Sequence, residues 1–342
     1  MQQSVNTHIG FETETIVIFV ALAIFAFLVD MWAHRGDKPI SLTAASLWTM
    51  FWIGIGLSFA GFLAYHFNNQ VASLYMAGYL FELALSVDNL FVMMAIFAWF
   101  GVQDKFCHRV LYWGVLGAVV FRLIFVMIGS SLFALGPVVE LIFAIVVGLS
   151  GVMMLKKKEN TEVSDFSSHL AYRVVKRFFP IYPKMVGHAF FLHQKEVDAE
   201  LAKPENQGIV LKRKGLWYTT PLFLCLAVIE TTDVLFAFDS VPAVIAVSRE
   251  PLIVYSAMMF AVMGLRSMYF VLDALRKYLV HLEKAVIVLL FFIAFKLAAG
   301  ASEHLFDFGM QIDVYISLGV IAVILGIGVL ASFIFPAKEE KK

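Results

Sequence analysis

Apolar runs of bilayer length recur from Thr15 to Phe335, separated by short polar links and one long basic segment. In hydrocarbon every backbone N–H and C=O must find its partner within the protein, so a spanning run is either a helix or part of a closed barrel. Runs of about twenty apolar residues without period-two alternation select the helix. The fold class expected is therefore all-α, a polytopic transmembrane bundle. Nine spans can be placed: Thr15–Trp32, Thr43–Tyr65, Leu74–Phe100, Val110–Leu132, Pro137–Leu155, Thr219–Val247, Pro251–Leu275, Ala285–Ala299 and Val314–Phe335. The eighth is short for a full crossing. Only 15% of residues are charged, against about 25% in soluble domains, which leaves no room for a large soluble domain. The formal net charge is zero, so bulk charge indicates no nucleic-acid partner. Cys107 and Cys225 make neither a metal motif nor a disulfide framework.

Lys and Arg orient the spans. The segments after odd-numbered spans carry twenty-two of them, twelve between Lys156 and Lys214, whereas the opposite side carries only Arg249. The N-terminus is expected outside and the C-terminus in the cytoplasm. MQQSVNTHIGFETE lacks the basic start of a signal peptide, so the first run is expected to be a retained span. The 156–216 segment reads as a basic cytoplasmic linker. Its KKKEN and LKRKG runs suit an anionic leaflet, although ordinary positive-inside flanks account for them more simply.

Against this background the acids stand out. ETTDVLFAFDSVP places Glu230, Asp233 and Asp239 inside an otherwise apolar run. An Asp at a helix centre costs about 2.5–3.5 kcal/mol on insertion scales, so three unpartnered acids would cost roughly 8–10 kcal/mol. FELALSVDNLF in the third span carries Glu82 and Asp88 six apart, as TTDVLFAFDSVP carries Asp233 and Asp239. A small polar residue follows each second Asp, Asn89 or Ser240, and the next span in each case carries an Arg after glycine, Arg122 or Arg266. The two units, spans three to five and six to eight, should run in opposite directions, the signature of an inverted-repeat transporter with a midplane site. The units correspond to residues 74–155 and 217–300, flanked by peripheral spans in 1–73 and 301–342.

Residues three apart share a helix face, which joins Glu230 to Asp233; residues six apart diverge by about 120°. Either the helices unwind, for which Pro242 supplies a cause in span six, or Asp88 and Asp239 form a central pair with the other acids as steps towards either side. Four readings compete: divalent-cation binding by an all-oxygen set with Asn89, Thr232 and Ser240 as auxiliary ligands; a proton relay; internal pairing with Arg122, Arg266 and Lys296; or anion handling by the arginines. Cation binding is favoured. Glu140, near a span end, is expected to be solvated at the interface.

FELALSVDNLFV, GVLGAVVFR, ETTDVLFAFDSVPAV and VMGLRSMYF resemble the TerC family of integral membrane proteins, its Alx-type members most, from about Gly78 to Ser317. The resemblance implies an inner-membrane protein linked to tellurite resistance and, for Alx-type members, to alkaline response and manganese export. An older label makes them redox modulators. It also implies that Glu82, Asp88, Glu230, Asp233 and Asp239 handle metal, with Mn2+ as cargo and no prosthetic group. The function expected is a divalent-cation exporter in the bilayer, possible proton exchange being the drive, and not an enzyme. The alternatives are a membrane partner that delivers metal to exported proteins, or a redox modulator. Protein partners are unknown.

Overall fold

The computed structural model describes residues 17–22, 24–25, 28–29, 41–157, 169–206, 209, 211, 213–275, 281–306 and 308–334, with backbone but not side chain at 88, 104, 105, 156, 157, 239, 282 and 283. Its long helices are α1 (Leu42–His66), α2 (Asn69–Phe100), α3 (Asp104–Phe133) and α4 (Pro137–Lys157), then α7 (Pro221–Ser248), α8 (Pro251–Met263), α9 (Leu265–Leu275), α10 (Leu282–Phe306) and α11 (Val314–Ile334). Between α4 and α7 lie α5 (Leu170–Phe178), β1 (Phe191–His193), α6 (Gln194–Leu201) and β2 (Trp217–Thr219). Among the described residues seven helices are long and apolar enough to cross a membrane, and the bent pair α8–α9 makes an eighth if counted as one span. The protein is an all-α polytopic membrane bundle. These eight answer to the second through ninth predicted spans. The first, Thr15–Trp32, falls largely outside the described residues, although Phe19 is buried against Phe59, Tyr255 and Phe260.

Local chemistry sets the helix starts. Asn68 caps α2 by accepting from the Val71 N–H at 2.8 Å. Pro221 and Pro251 open α7 and α8, where a missing N–H costs nothing. Two sequence expectations need correction. Span eight is not short: α10 has 25 residues and continues through Ser302, Glu303 and His304. Pro242 does not break α7, which is helical from Pro221 to Ser248, and α2 is continuous through Glu82 and Asp88. Neither six-residue pair is brought to one face by unwinding. The break falls in the seventh span instead, a 55° bend between α8 and α9 at Gly264. A Cβ at Gly264 would lie 3.3 Å from the Trp52 Cβ, so a bare backbone lets α1 close on the bend.

Contacts fix the directions. Gly78 of α2 faces Val244 of α7, while Val87 and Leu90 share a cluster with Val228 and Cys225, so α2 and α7 are antiparallel. Gly148 and Gly151 of α4 meet Ala294 and Phe291 of α10, also antiparallel. From Gly114 with Ile229 to Gly129 with Ile245, α3 and α7 run in parallel. Gly78 with Ala257 and Phe97 with Tyr269 make α2 parallel to the α8–α9 pair. Two large apolar clusters stack along these helices. One holds Leu90, Leu111, Ala118 and Ile229; the other holds Phe81, Val126, Ala237 and Leu290.

The segment 156–216 is more than a linker. From His169 onward it forms a small module on one end of the bundle. β1 and β2 pair antiparallel, Leu192 opposite Tyr218, over a core of Tyr182, Leu192, Val197 and Tyr218. His193 caps α6: its Nδ1 accepts from the Lys195 N–H, and the Glu196 carboxylate accepts from the His193 N–H at 2.7 Å. Residues 158–168 lie outside the described set.

Candidate functional site

The polar centre sits where the two apolar clusters meet. Arg122 lies between Ala118 of one cluster and Val126 of the other, and Asp233 lies between Ile229 and Ala237 in the same way. Glu82, Arg122 and Asp233 are 0%, 1% and 3% exposed. Arg122 Nη1 pairs with the Glu82 carboxylate, and Nη2 lies 3.7 Å from Asp233 Oδ1. One guanidinium from α3 therefore joins an acid of α2 to an acid of α7. Such burial is tolerable because each charge faces an opposite one; breaking the set would strand a carboxylate in a dry interior.

Glu230 stands one turn before Asp233, on the same face of α7. Its carboxylate lies directly against Gly117 of α3, where any Cβ would occupy the space that the carboxylate fills. Glu230 Oε2 is buried without a hydrogen-bond partner among the described residues, as are the hydroxyls of Ser86, Ser240 and Ser267. Orphaned buried oxygens are rare in native proteins and call for an ion, a water or a functional role. Thr232 spends its hydroxyl hydrogen on the Val228 carbonyl at 2.7 Å, which leaves its oxygen able to accept or ligate. Asn89 is buried in α2.

Asp88 and Asp239 are helical, but their side chains lie outside the described residues, so the expected central pair is not described. Among the described residues no three His, Cys, Asp or Glu side chains group closely enough to hold a metal. Arg122 pairs with Glu82, and Arg266 of α9 is buried and makes contacts of its own. Lys296 makes no ion pair among the described residues, which include neither the Asp88 nor the Asp239 side chain. The two cysteines form no disulfide with each other and are buried in one apolar cluster.

One pair was not anticipated. Glu140 is buried, not solvated, and accepts from Arg249 Nη2 at 3.0 Å across the α4–α7 boundary. The Arg249 guanidinium also lies over the Phe133 ring at 5.2 Å. The available signal was that Arg249 is the lone basic residue on the side depleted of Lys and Arg.

The comparisons agree with this architecture. A family described as "Integral membrane protein TerC family" matches residues 67–340. The chain is 61% identical over 341 residues to "Tellurium resistance protein TerC" of Serratia marcescens, covering 99% of both chains. It is 35% identical to "Thylakoid membrane protein TERC, chloroplastic" of Arabidopsis thaliana, over 76% of this chain and 61% of that one. It is 32% identical to the Alx protein of Photorhabdus laumondii, which carries the label of a membrane-bound redox modulator, over 90% of this chain and 91% of that one. No solved structure matches the chain. With a family match running from α1's end to beyond α11, the chain belongs to the TerC family of integral membrane proteins.

Proposed function

We propose that this protein exports divalent cations, Mn(II) foremost, from the cytoplasm across the inner membrane by alternating access around the acids of α2 and α7. The observation that carries the reading is the charge of the buried centre: Glu82, Glu230 and Asp233 stand with Arg122 at the junction of two apolar clusters. A guanidinium does not lose its proton in proteins, so Arg122 offsets one carboxylate and leaves cations or protons to offset the others. The orphaned oxygens of Glu230, Ser86, Ser240 and Ser267 are hard donors of the kind Mn, Mg and Ca accept.

The units α2–α4 and α7–α10 supply the moving parts. Their equivalent helices run in opposed directions, and Arg122 holds acids from both. Arg122 bridges Glu82 and Asp233, so an entering cation would compete with it for the same oxygens. Exporting a dication against a membrane potential costs about 4.6 kcal/mol per 100 mV, which proton return through the same carboxylates would offset. Thiol redox chemistry is not favoured, because buried structural cysteines are inert.

The test is metal uptake into everted vesicles or proteoliposomes holding purified protein, across Mn, Mg and Ca, with Glu230→Gln, Asp88→Asn and Asp239→Asn beside the parent. Saturable Mn uptake by the parent and its loss in Glu230→Gln supports export. Metal binding without uptake would place the protein as a metal-delivery partner. Unchanged uptake in all three variants would refute the acidic site.

A further inference from the structure

The module between α4 and α7 carries a surface that the transport reading does not use. Along α5, Leu170, Val174 and Phe178 are 61%, 44% and 70% exposed. Four-residue steps drift by only about 40° on a helix, so the three make one stripe. Ala171 is buried on the inner flank of that stripe, while Arg173 and Arg177 lie on its outer flank by the same geometry. The stripe does not end with the helix. The Phe179 ring lies 5.9 Å from that of Phe191, which lies 4.3 Å from Phe223 in the first turn of α7. Exposed apolar surface thus runs from α5 to the start of a membrane-spanning helix.

Charge is divided across the module. Arg173, Lys176 and Arg177 belong to α5, and Arg213 is tied to its end by donating to the Lys176 and Arg177 carbonyls, at 3.2 and 2.8 Å. The acids are elsewhere, on α6 and the turn after it: Glu196, Asp198, Glu200 and Glu205. A short helix with an exposed apolar stripe, a basic flank and no acid of its own fits a surface that is oily below and anionic above. A soluble partner protein would have to match an apolar stripe that leads to the half-buried Phe223 at the start of a membrane-spanning helix, whereas a leaflet already borders that helix.

We propose that α5 is an in-plane anchor that binds anionic phospholipid, with Leu170, Val174 and Phe178 at the headgroup–acyl boundary and Arg173 and Arg177 on the phosphates. The module is thereby coupled to the composition of the leaflet on its own side. Because α5 packs against α7, its seating bears on the helix that carries Glu230 and Asp233.

The test is amide hydrogen exchange of the full-length protein in nanodiscs of phosphatidylcholine alone and of phosphatidylcholine with phosphatidylglycerol. Exchange across residues 170–179 should slow at least about fivefold in the anionic discs, the weight of one basic side chain near an anionic surface. Arg173→Gln with Lys176→Gln and Arg177→Gln should abolish that difference. Val174→Glu with Phe178→Glu should abolish protection in both discs. The amides of Leu192 and Tyr218 should stay protected throughout, which verifies that the small sheet is intact. Equal exchange in the two disc types for the parent, as a second copy or a protein partner on this face would give, overturns the proposal. So does a lipid difference that survives removal of the three charges.

Discussion

The replacement Arg122→Gln tests the buried centre most directly. Arg122, Glu82 and Asp233 are almost wholly inaccessible, so solvent cannot screen what the substitution leaves behind. Removing one member of a buried ion set costs about 3–5 kcal/mol, because the remaining charge loses its partner but stays desolvated. Here two carboxylates are left. At roughly 2 °C per kcal/mol for a large chain, the melting temperature in detergent should fall by about 6–10 °C. The same reasoning predicts rescue. Glu82→Gln in the Arg122→Gln background removes a stranded charge, so the double variant should be more stable than Arg122→Gln alone. A double-variant cycle should return a coupling in the upper part of the 0.5–3 kcal/mol range seen for contacting residues. Asp233→Asn should couple less, since its contact with Arg122 is longer at 3.7 Å. If the three substitutions add within about 0.5 kcal/mol, the guanidinium is not what holds these acids and the account of the site fails.

Gly117→Ala should leave stability level or slightly higher, since alanine is the better helix former by about 1 kcal/mol, yet its Cβ displaces the Glu230 carboxylate. Metal uptake should fall at least tenfold, in line with the cost of misplacing a reacting group by an ångström; parent-level uptake would show that the seat of Glu230 is immaterial. Arg249 closes α7 in the left-handed region at φ 58°, where a side chain costs about 1–2 kcal/mol. Arg249→Gly and Arg249→Ala both strand the buried Glu140, but the glycine variant should be more stable by about 1 kcal/mol, roughly 2 °C in melting temperature; equal melting would remove the strain from the argument. In the module, burial lowers the pKa of His169, which precedes α5. Protonation therefore favours the unfolded segment: His169 contributes stability above the usual imidazole value of about 6.5 and loses it as the pH falls further. Limited proteolysis near α5 should quicken on acidification, and His169→Asn should flatten that response; an unchanged profile would refute it.

Most of the fold was legible because hydrocarbon leaves a spanning chain so few options. Apolar run length marked each described span, and proline or a capping polar residue marked several starts. The misjudgements have physical reasons. The sequence places the third span from Leu74, where the apolar run begins, yet Asn68 is the cap and α2 begins immediately after it. Pro242 reads as a break, but in a packed bundle neighbouring helices compensate for one lost hydrogen bond. The bend at Gly264 was not anticipated; there the bare backbone lets Trp52 of α1 approach closely, a contact with no local sequence pattern. The three-residue strands β1 and β2 pair residues more than twenty positions apart and leave no local pattern. At the site, residue type betrayed Glu82, Arg122, Glu230 and Asp233. Spacing alone could not say that Arg122 joins α2 to α7, or that Gly117 is the seat of Glu230.

The charges around Arg122 lead to one more expectation. Among the described side chains, Glu82, Glu230 and Asp233 line the centre with one guanidinium that stays charged, a formal balance of minus two when all are ionised, without the three closing on a single point. One dication restores neutrality, and so do two protons. On the proposed alternating-access reading, a centre that crosses between orientations inside a low-dielectric bundle is penalised for any net charge it carries, so the states able to cross would be the metal-loaded one and the doubly protonated one. Exchange should then move one dication against two protons and carry no net charge. In liposomes with a potential set by potassium and valinomycin, Mn uptake driven by a pH gradient should change little when the potential is varied by 100 mV. Uncompensated movement of a dication would instead feel about 4.6 kcal/mol, more than a thousandfold in the gradient it could sustain. A strong dependence on potential, or uptake without opposite proton movement, would refute this charge balance.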